Sequence, residues 1–342
     1  MVKEVILMKI RYFCTNPHNA ISWYRAAGVL EKLKYIDPSI QVHLTDHVDW
    51  QSFIDADVVY IQNPYDWAQY MAAVFAKEMG LPVWVDYDDD VLNIANTHPR
   101  FVDFSAITVK EVIWKSLEIA DVVTVPTAAL ALTAREYNKN VVIVPNAFND
   151  YNLTIPKCSN QTDVIAWRGG DTHWDDLDDL HDAFKALSYE HPEWSWHFIG
   201  LDADTKHITR DMPNSFAVAG KHLLPLITCF QKMSDAKPAV FIHPLIDNLF
   251  NRAKSNISWI EATMSGAATL MPALPEFDRP GVAVYSSVKE FEESMKLLMK
   301  NDDLREKLFQ ESRQYILDNL KLSEVNKRRV DIAHILTGRV AL

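Results

Sequence analysis

Residues 241–273 read FIHPLIDNLFNRAKSNISWIEATMSGAATLMPA, and the parsing of this stretch decides the fold. Its apolar opening, AVFIHP counted from residue 239, has the composition of a strand that empties into a polar loop ending at Lys254, Ser255 and Asn256. A helical period then begins, with Ile257, Ile260, Ala262 and Met264 on its apolar positions and Gly266 at its stop. A strand end, a loop carrying a cation and amides, and a helix start together make an anion site. The first helical N–H groups have no intrahelical partner, and the macrodipole favours negative charge there. Lys254 adds a point charge, and Glu261, about two turns further in, offers a carboxylate to hydroxyl groups. A plainer reading, an ordinary strand–helix unit whose Ser255 only caps the helix, fits the stretch equally well.

Outward from this stretch, strand-like runs alternate with amphipathic helices. Before it come 8–14, 40–44, 57–62, 82–87, 121–126 and 140–145, then 163–169, 194–200 and 215–220; after it comes 281–285. Helical periods fall between them at 21–35, 66–79, 103–119, 127–137, 174–189 and 222–233, and a helical run 287–337 closes the chain. Near-continuous apolar strands alternating with helices predict parallel sheets covered on both faces. Residues 146–162, rich in Asn, Pro and Thr and without a period, read as a linker, so the alternation divides into two units. In such sheets ligands sit outside the carboxyl ends of the strands, which directs attention to the loops that follow them.

The 342 residues suffice for two domains with separate cores, and 48% hydrophobic with 23% charged residues describes a globular chain. A formal charge of −12 argues against a generally basic surface for nucleic acid or anionic membrane, though not against a locally basic cleft. Three dispersed cysteines, Cys14, Cys158 and Cys229, predict a reducing compartment without a disulfide framework. No stretch approaches the roughly 20 apolar residues of a membrane span, and the charged start MVKEVILMKIRYF reads as a first strand, so a cytoplasmic location is expected.

The loop after the first strand carries His18, a candidate general base or acceptor contact set against the plain reading of a solvated histidine, and Arg25 in the helix behind it. No G-x-G-x-x-G occurs there, which weighs against a dinucleotide site. The cluster Asp86-Tyr87-Asp88-Asp89-Asp90 reads as a divalent-cation site, or as acceptor-binding or structural carboxylates. Metal binding is the weaker reading, because no second carboxylate group is paired to it. Arg25, Asp88 and Asp89 are therefore acceptor-side candidates. In the second unit, Arg168-Gly169-Gly170 stands at a strand exit, where glycines let backbone approach a ligand and an arginine forks onto phosphate oxygens, a salt-bridge partner being the plainer reading of Arg168; His173 follows. Five of ten tryptophans lie near strand exits, but core packing explains a tryptophan as well as stacking does.

IADVVTVPTAALA at 119–131, NVVIVPNAFN at 140–149, AWRGGDTHWDDL at 166–177 and NRAKSNISWIEATMSGAATLMP at 251–272 resemble the GT-B glycosyltransferases of the family-four type. The KSNISWIEA core with the downstream PGVAVY is similar to glycosyltransferases encoded by tailed phages. The resemblance implies an α/β fold of two Rossmann-like domains facing across a cleft. The acceptor domain would span 1–150, the nucleotide-sugar domain 151–318, and a C-terminal helix at 319–342 would cross back to the first domain. It implies that Glu261 is the second glutamate of the family's E-x7-E motif, on the donor ribose. Arg168 and Lys254 would hold the diphosphate, with Gly169, Gly170, Ser255 and Asn256 as amide donors and His173 and Asn251 beside them. The first glutamate falls at Ala253, a departure that leaves Asp247, Asn248 or Asn251 to meet the sugar hydroxyls.

The resemblance further implies transfer with retention from a nucleoside-diphosphate sugar, a UDP-sugar being the expected donor, with no cofactor and no metal required. The acceptor is a hydroxyl. A hydroxymethylated pyrimidine in DNA is the expectation from the phage-like motif, which would place the protein in a bacterial host cytoplasm. A surface glycan or glycolipid precursor is the alternative, for which Lys32-Leu33-Lys34-Tyr35 is a slight basic and apolar patch. A non-catalytic nucleotide-sugar binding module is a third reading, motivated by Ala253.

Overall fold

The computed structural model describes residues 7–14, 19–45, 50–151, 158–160, 162–201, 206–218 and 226–339. Among these residues twelve strands form two six-stranded sheets. The first holds β1 (Met8–Phe13), β2 (Ile40–Thr45), β3 (Val58–Gln62), β4 (Val83–Asp86), β5 (Val122–Val125) and β6 (Val141–Ile143), in the order β2-β1-β3-β4-β5-β6. The second holds β7 (Val164–Arg168), β8 (Ser195–Ile199), β9 (Ser215–Val218), β10 (Val240–Ile242), β11 (Ala268–Pro272) and β12 (Val282–Tyr285), in the order β12-β11-β10-β7-β8-β9. Every pairing is parallel.

The strand composition explains this. β3, β4, β5 and β11 are buried along their whole length, so they need helices on both faces. Each predicted strand is present, most of them shortened by a residue or two at the ends and β2 longer by one; residues 219–220 of the predicted 215–220 lie outside the described residues. The helical periods at 21–35, 103–119 and 174–189 are each interrupted. Ala26 (φ −126°, ψ −93°) breaks the first just after Arg25, and Ala106, in extended geometry, breaks the second. The third divides into Trp174–Asp178 and His181–Glu190.

The closing run is three helices, Val288–Lys300, Asp302–Asn319 and Leu322–Thr337. The last of them packs on the first sheet: Leu322, Val325, Val330, Ile332 and Ala333 share an apolar cluster with Met8, Ile10 and Tyr60. Asn326 donates to the Val29 carbonyl at 2.8 Å, and His334 pairs with Asp37 at 2.8 Å. Among the described residues no helix is long and apolar enough to cross a membrane.

Candidate active site

β7 and β10 are neighbours at the point where the second sheet reverses its strand order, which opens the crevice that α/β sheets use for ligands. β7 delivers Arg168 there, β10 is followed by His243, and the helix Ile257–Met264 delivers Glu261.

Glu261 is only 4% exposed. Its Oε1 accepts from Arg168 Nη2 at 2.5 Å and from the Tyr24 hydroxyl at 2.7 Å, while Oε2 accepts no hydrogen bond among the described residues. Burial works against a charged guanidinium, but the Glu261 charge prevails and holds Arg168 above the ordinary arginine range. Burial, then the Glu261 charge, pushes the Tyr24 hydroxyl far above its usual value, which keeps it a donor.

The start of the helix is open. Asn256 is its N-cap residue but makes no side-chain capping bond; its amide donates to the Glu276 carbonyl at 3.3 Å. Ser255 does not cap either, since its hydroxyl accepts from Asn146 Nδ2 at 2.8 Å. Lys254 lies just before the start, with Nζ 4.4 Å from the Phe250 ring centroid and 3.7 Å from Asp89 Oδ1. Three buried polar atoms of this region lack a partner among the described residues: Arg168 Nε, Ser258 Oγ in the helix's first turn, and His243 Nδ1. Buried orphans of this kind call for a ligand or water, and here they gather at a cationic crevice.

Gly169 is required for packing: a Cβ there would lie 2.3 Å from the Trp167 indole. Its N–H is taken by the Ile199 carbonyl at 3.1 Å, so of the two glycines expected as amide donors only Gly170 keeps its N–H clear among the described residues. His173 Nδ1–H donates to Asp176 Oδ2 (2.9 Å), and Asp176 Oδ1 accepts from the Ile246 N–H (2.8 Å) and from Asn251 Nδ2 (2.9 Å). Burial alone would raise the Asp176 carboxyl, yet the His173 contact, the Ile246 N–H and the Lys254 charge hold it below its usual range. Asn251 also donates to the Ile246 carbonyl, so its amide hydrogens are spent on shaping the loop after β10. His243 is pushed well below the usual imidazole range, first by burial and then by His173, Lys254 and Arg168, and stays neutral at pH 7.

The neighbours of Ala253 are occupied as well. Asp247 forks onto Arg252 at the surface, and Asn248 caps the turn Leu249–Arg252. Ala253 itself is 1% exposed and belongs, with Phe250, to the apolar cluster of the first sheet; its carbonyl accepts from Thr127 Oγ1 at 2.8 Å. The position where the family pattern has a glutamate is here a contact between the two sheets.

On the first-sheet side, the expectation for Arg25 is corrected. It is fully buried, with Nε and Nη2 on Asp86 at 3.0 and 2.6 Å and Nη1 on the Val144 carbonyl at 2.6 Å, and it cannot meet an acceptor. Asp88 accepts from Asn63 Nδ2 at 2.7 Å, and burial followed by the Asp89 charge raises its carboxyl to about 7. His18 lies outside the described residues. Among the described residues no group of three or more His, Cys, Asp or Glu side chains is placed to hold a metal ion.

No described protein family and no curated protein matches the sequence. Solved structures do match in shape. HepE of Anabaena in complex with UDP-glucose superposes with a TM-score of 0.67 at 12% identity, over 95% of this chain and 99% of that one. A glycosyltransferase from Rickettsia africae gives 0.62 at 12% identity, over 96% and 98%. TarM of S. aureus, solved with UDP, gives 0.56 at 13% identity over 88% of this chain, which spans 58% of TarM.

The chain has the GT-B fold. The two crevices of its sheets face one cleft, and the contacts Lys254–Asp89, Glu261–Tyr24 and Ser255–Asn146 cross between them. Three residues of this GT-B cleft escape a sequence reading. Tyr24 looks like any helical tyrosine, and its partner is 237 residues away. Asp176 looks like a first-turn acid suited to the helix dipole. Ser258 looks like any serine in the first turn of a helix. The open helix start is hidden from the sequence too, since asparagine is a favoured N-cap residue and only the structure shows that Asn256 makes no capping bond.

Proposed function

We propose that the protein transfers a sugar from a nucleoside-diphosphate sugar, with UDP-sugar as donor, to a hydroxyl acceptor. The observation that carries this reading is the half-occupied carboxylate of Glu261, buried between Arg168 and Tyr24 beside an uncapped helix start. Its remaining oxygen suits a ribose hydroxyl. Arg168, Lys254, the Gly170 amide and the amides at Ser255 and Asn256 suit a diphosphate, with the Ser258 hydroxyl as a further donor. The UDP and UDP-glucose held by TarM and HepE support the same donor class.

In this reading catalysis is positioning plus stabilisation of the charge that grows on the leaving diphosphate. The acceptor hydroxyl attacks the anomeric carbon on the face the diphosphate leaves, and a diphosphate oxygen takes its proton, giving retention without an enzyme nucleophile. The second sheet with its helices forms the donor domain and the first the acceptor domain, where Asp88 and Asp89 meet acceptor or sugar hydroxyls. That acidic wall suits a neutral glycan hydroxyl better than duplex DNA, whose binding draws on phosphate neutralisation. Hydroxymethylated DNA, favoured by the phage-like motif, is kept as the second acceptor.

Incubation with a panel of nucleotide sugars, each with hydroxymethyl-cytosine DNA, hydroxymethyl-uracil DNA and a set of soluble glycosides, tests the proposal. Mass gain on one acceptor class with UDP release is the expected result, and the anomeric configuration of the product tests retention. Donor binding by calorimetry with neither transfer nor hydrolysis would favour the binding-module reading that Ala253 motivates. No binding of any nucleotide sugar would contradict both.

A further inference from the structure

We propose that Tyr24 is a positioning residue for the donor, through which the acceptor side of the cleft fixes the carboxylate that meets the ribose. The inference rests on Glu261 taking ribose hydroxyls, as proposed above. The aim of Glu261 is set by two bonds on one oxygen, one from Arg168 of its own sheet and one from Tyr24 of the other.

Tyr24 is itself held firmly. The next residue, Arg25, forks onto Asp86, and its carbonyl accepts from the Tyr60 hydroxyl at 2.7 Å; Ser22 donates to Gln62 at 2.9 Å. Arg25 Nη1 also reaches Asn146 Oδ1 at 3.2 Å, and Asn146 donates to Ser255. One buried arginine therefore anchors two contacts on the donor helix: Ser255 before its first turn and Glu261 within it, roughly 9 Å apart along the axis. A single contact would leave the helix free to pivot, and two define its orientation against the first sheet.

Arg168 shows what the Tyr24 hydroxyl prevents. Its Nε is buried and unpartnered among the described residues, next to the Nη2 that already holds Glu261. Guanidinium and carboxylate prefer two parallel bonds. Without Tyr24 on Oε1, Glu261 can turn so that Nε and Nη2 take both of its oxygens, and none is left for a ribose.

Calorimetric titration of wild type, Tyr24→Phe, Glu261→Gln and the double variant, with UDP and with inorganic pyrophosphate, tests this. Each single variant is expected to weaken UDP about ten-fold, the scale of a hydrogen bond to a charged group, while pyrophosphate, which has no ribose, changes less than about two-fold. The double variant is expected to be no weaker than Glu261→Gln alone. Normal pyrophosphate binding also reports a folded protein. If Glu261→Gln binds UDP like wild type, the ribose reading itself fails. If Glu261→Gln weakens UDP but Tyr24→Phe does not, or if Tyr24→Phe weakens pyrophosphate as much as UDP, the role given to Tyr24 is overturned while the ribose reading stands.

Discussion

Lys254 Nζ stands 3.7 Å from Asp89 Oδ1, so the cation before the helix Ile257–Met264 is paired with a carboxylate from the loop after β4 of the other sheet. The pair is long and partly open to solvent, and such pairs contribute about 0–1 kcal/mol. Its weight is in placement: it brings the proposed phosphate cation and the proposed acceptor wall together.

Lys254→Ala is therefore expected to leave stability nearly unchanged, with a melting temperature within about 2 °C of wild type, and to lose transfer by about 100-fold or more. Arg168→Lys keeps the charge but not the fork, and an intermediate loss is expected. Initial rates at saturating acceptor check both.

Asp88 supplies a pH dependence of stability. Its carboxyl is raised from 3.8 to about 7 in the fold by burial and the Asp89 charge, so between those values the folded state holds a proton that the unfolded chain releases. Stability should fall as pH rises from about 4 to 7 and level off above, a contribution on the order of 1 kcal/mol or more. Asp88→Asn still accepts from Asn63, and is expected to flatten this slope and to be the more stable protein at pH 8. Urea denaturation at pH 5 and pH 8 reads both effects.

Arg25→Met would leave Asp86 buried without its cation. Removing one partner of such a pair costs about 3–5 kcal/mol, and a clear drop in the urea midpoint is expected. An Arg25→Met protein of wild-type stability would contradict the anchoring role given to this residue.

Ala253→Glu introduces the residue type that the resembling family-four pattern has at this position but places a carboxylate in the apolar cluster that holds Phe250. The expected result is a loss of about 3 kcal/mol or more with no gain in transfer, because the buried charge has no partner. Thermal melts and activity on the same preparation decide it.

The alternation of apolar strands and helices was readable because each strand's burial is written in its own residues, as in VVYIQ of β3 or ATLMP of β11. The helix Ile257–Met264 was readable for the same reason, its apolar period lying on one short local pattern. Residues whose role depends on a distant partner were not. Arg25 read as an acceptor-side candidate in the helix behind a strand exit because Asp86, 61 residues on, is invisible from its own segment. Asn251 looked like a ligand and turned out to brace a loop against Asp176, 75 residues earlier. The breaks at Ala26 and Ala106 fall in sequences with unbroken helical period, where tertiary packing overrides local preference.

The central claim is that Arg168, Lys254 and Glu261 form a donor site, and a crystal structure of the protein with UDP tests it most directly. The account predicts diphosphate oxygens within hydrogen-bond distance of Arg168 or Lys254 and of the amides at the start of Ile257–Met264, with a ribose hydroxyl on Glu261 Oε2. UDP bound elsewhere, or bound with Glu261 still closed off from the ribose, would contradict it.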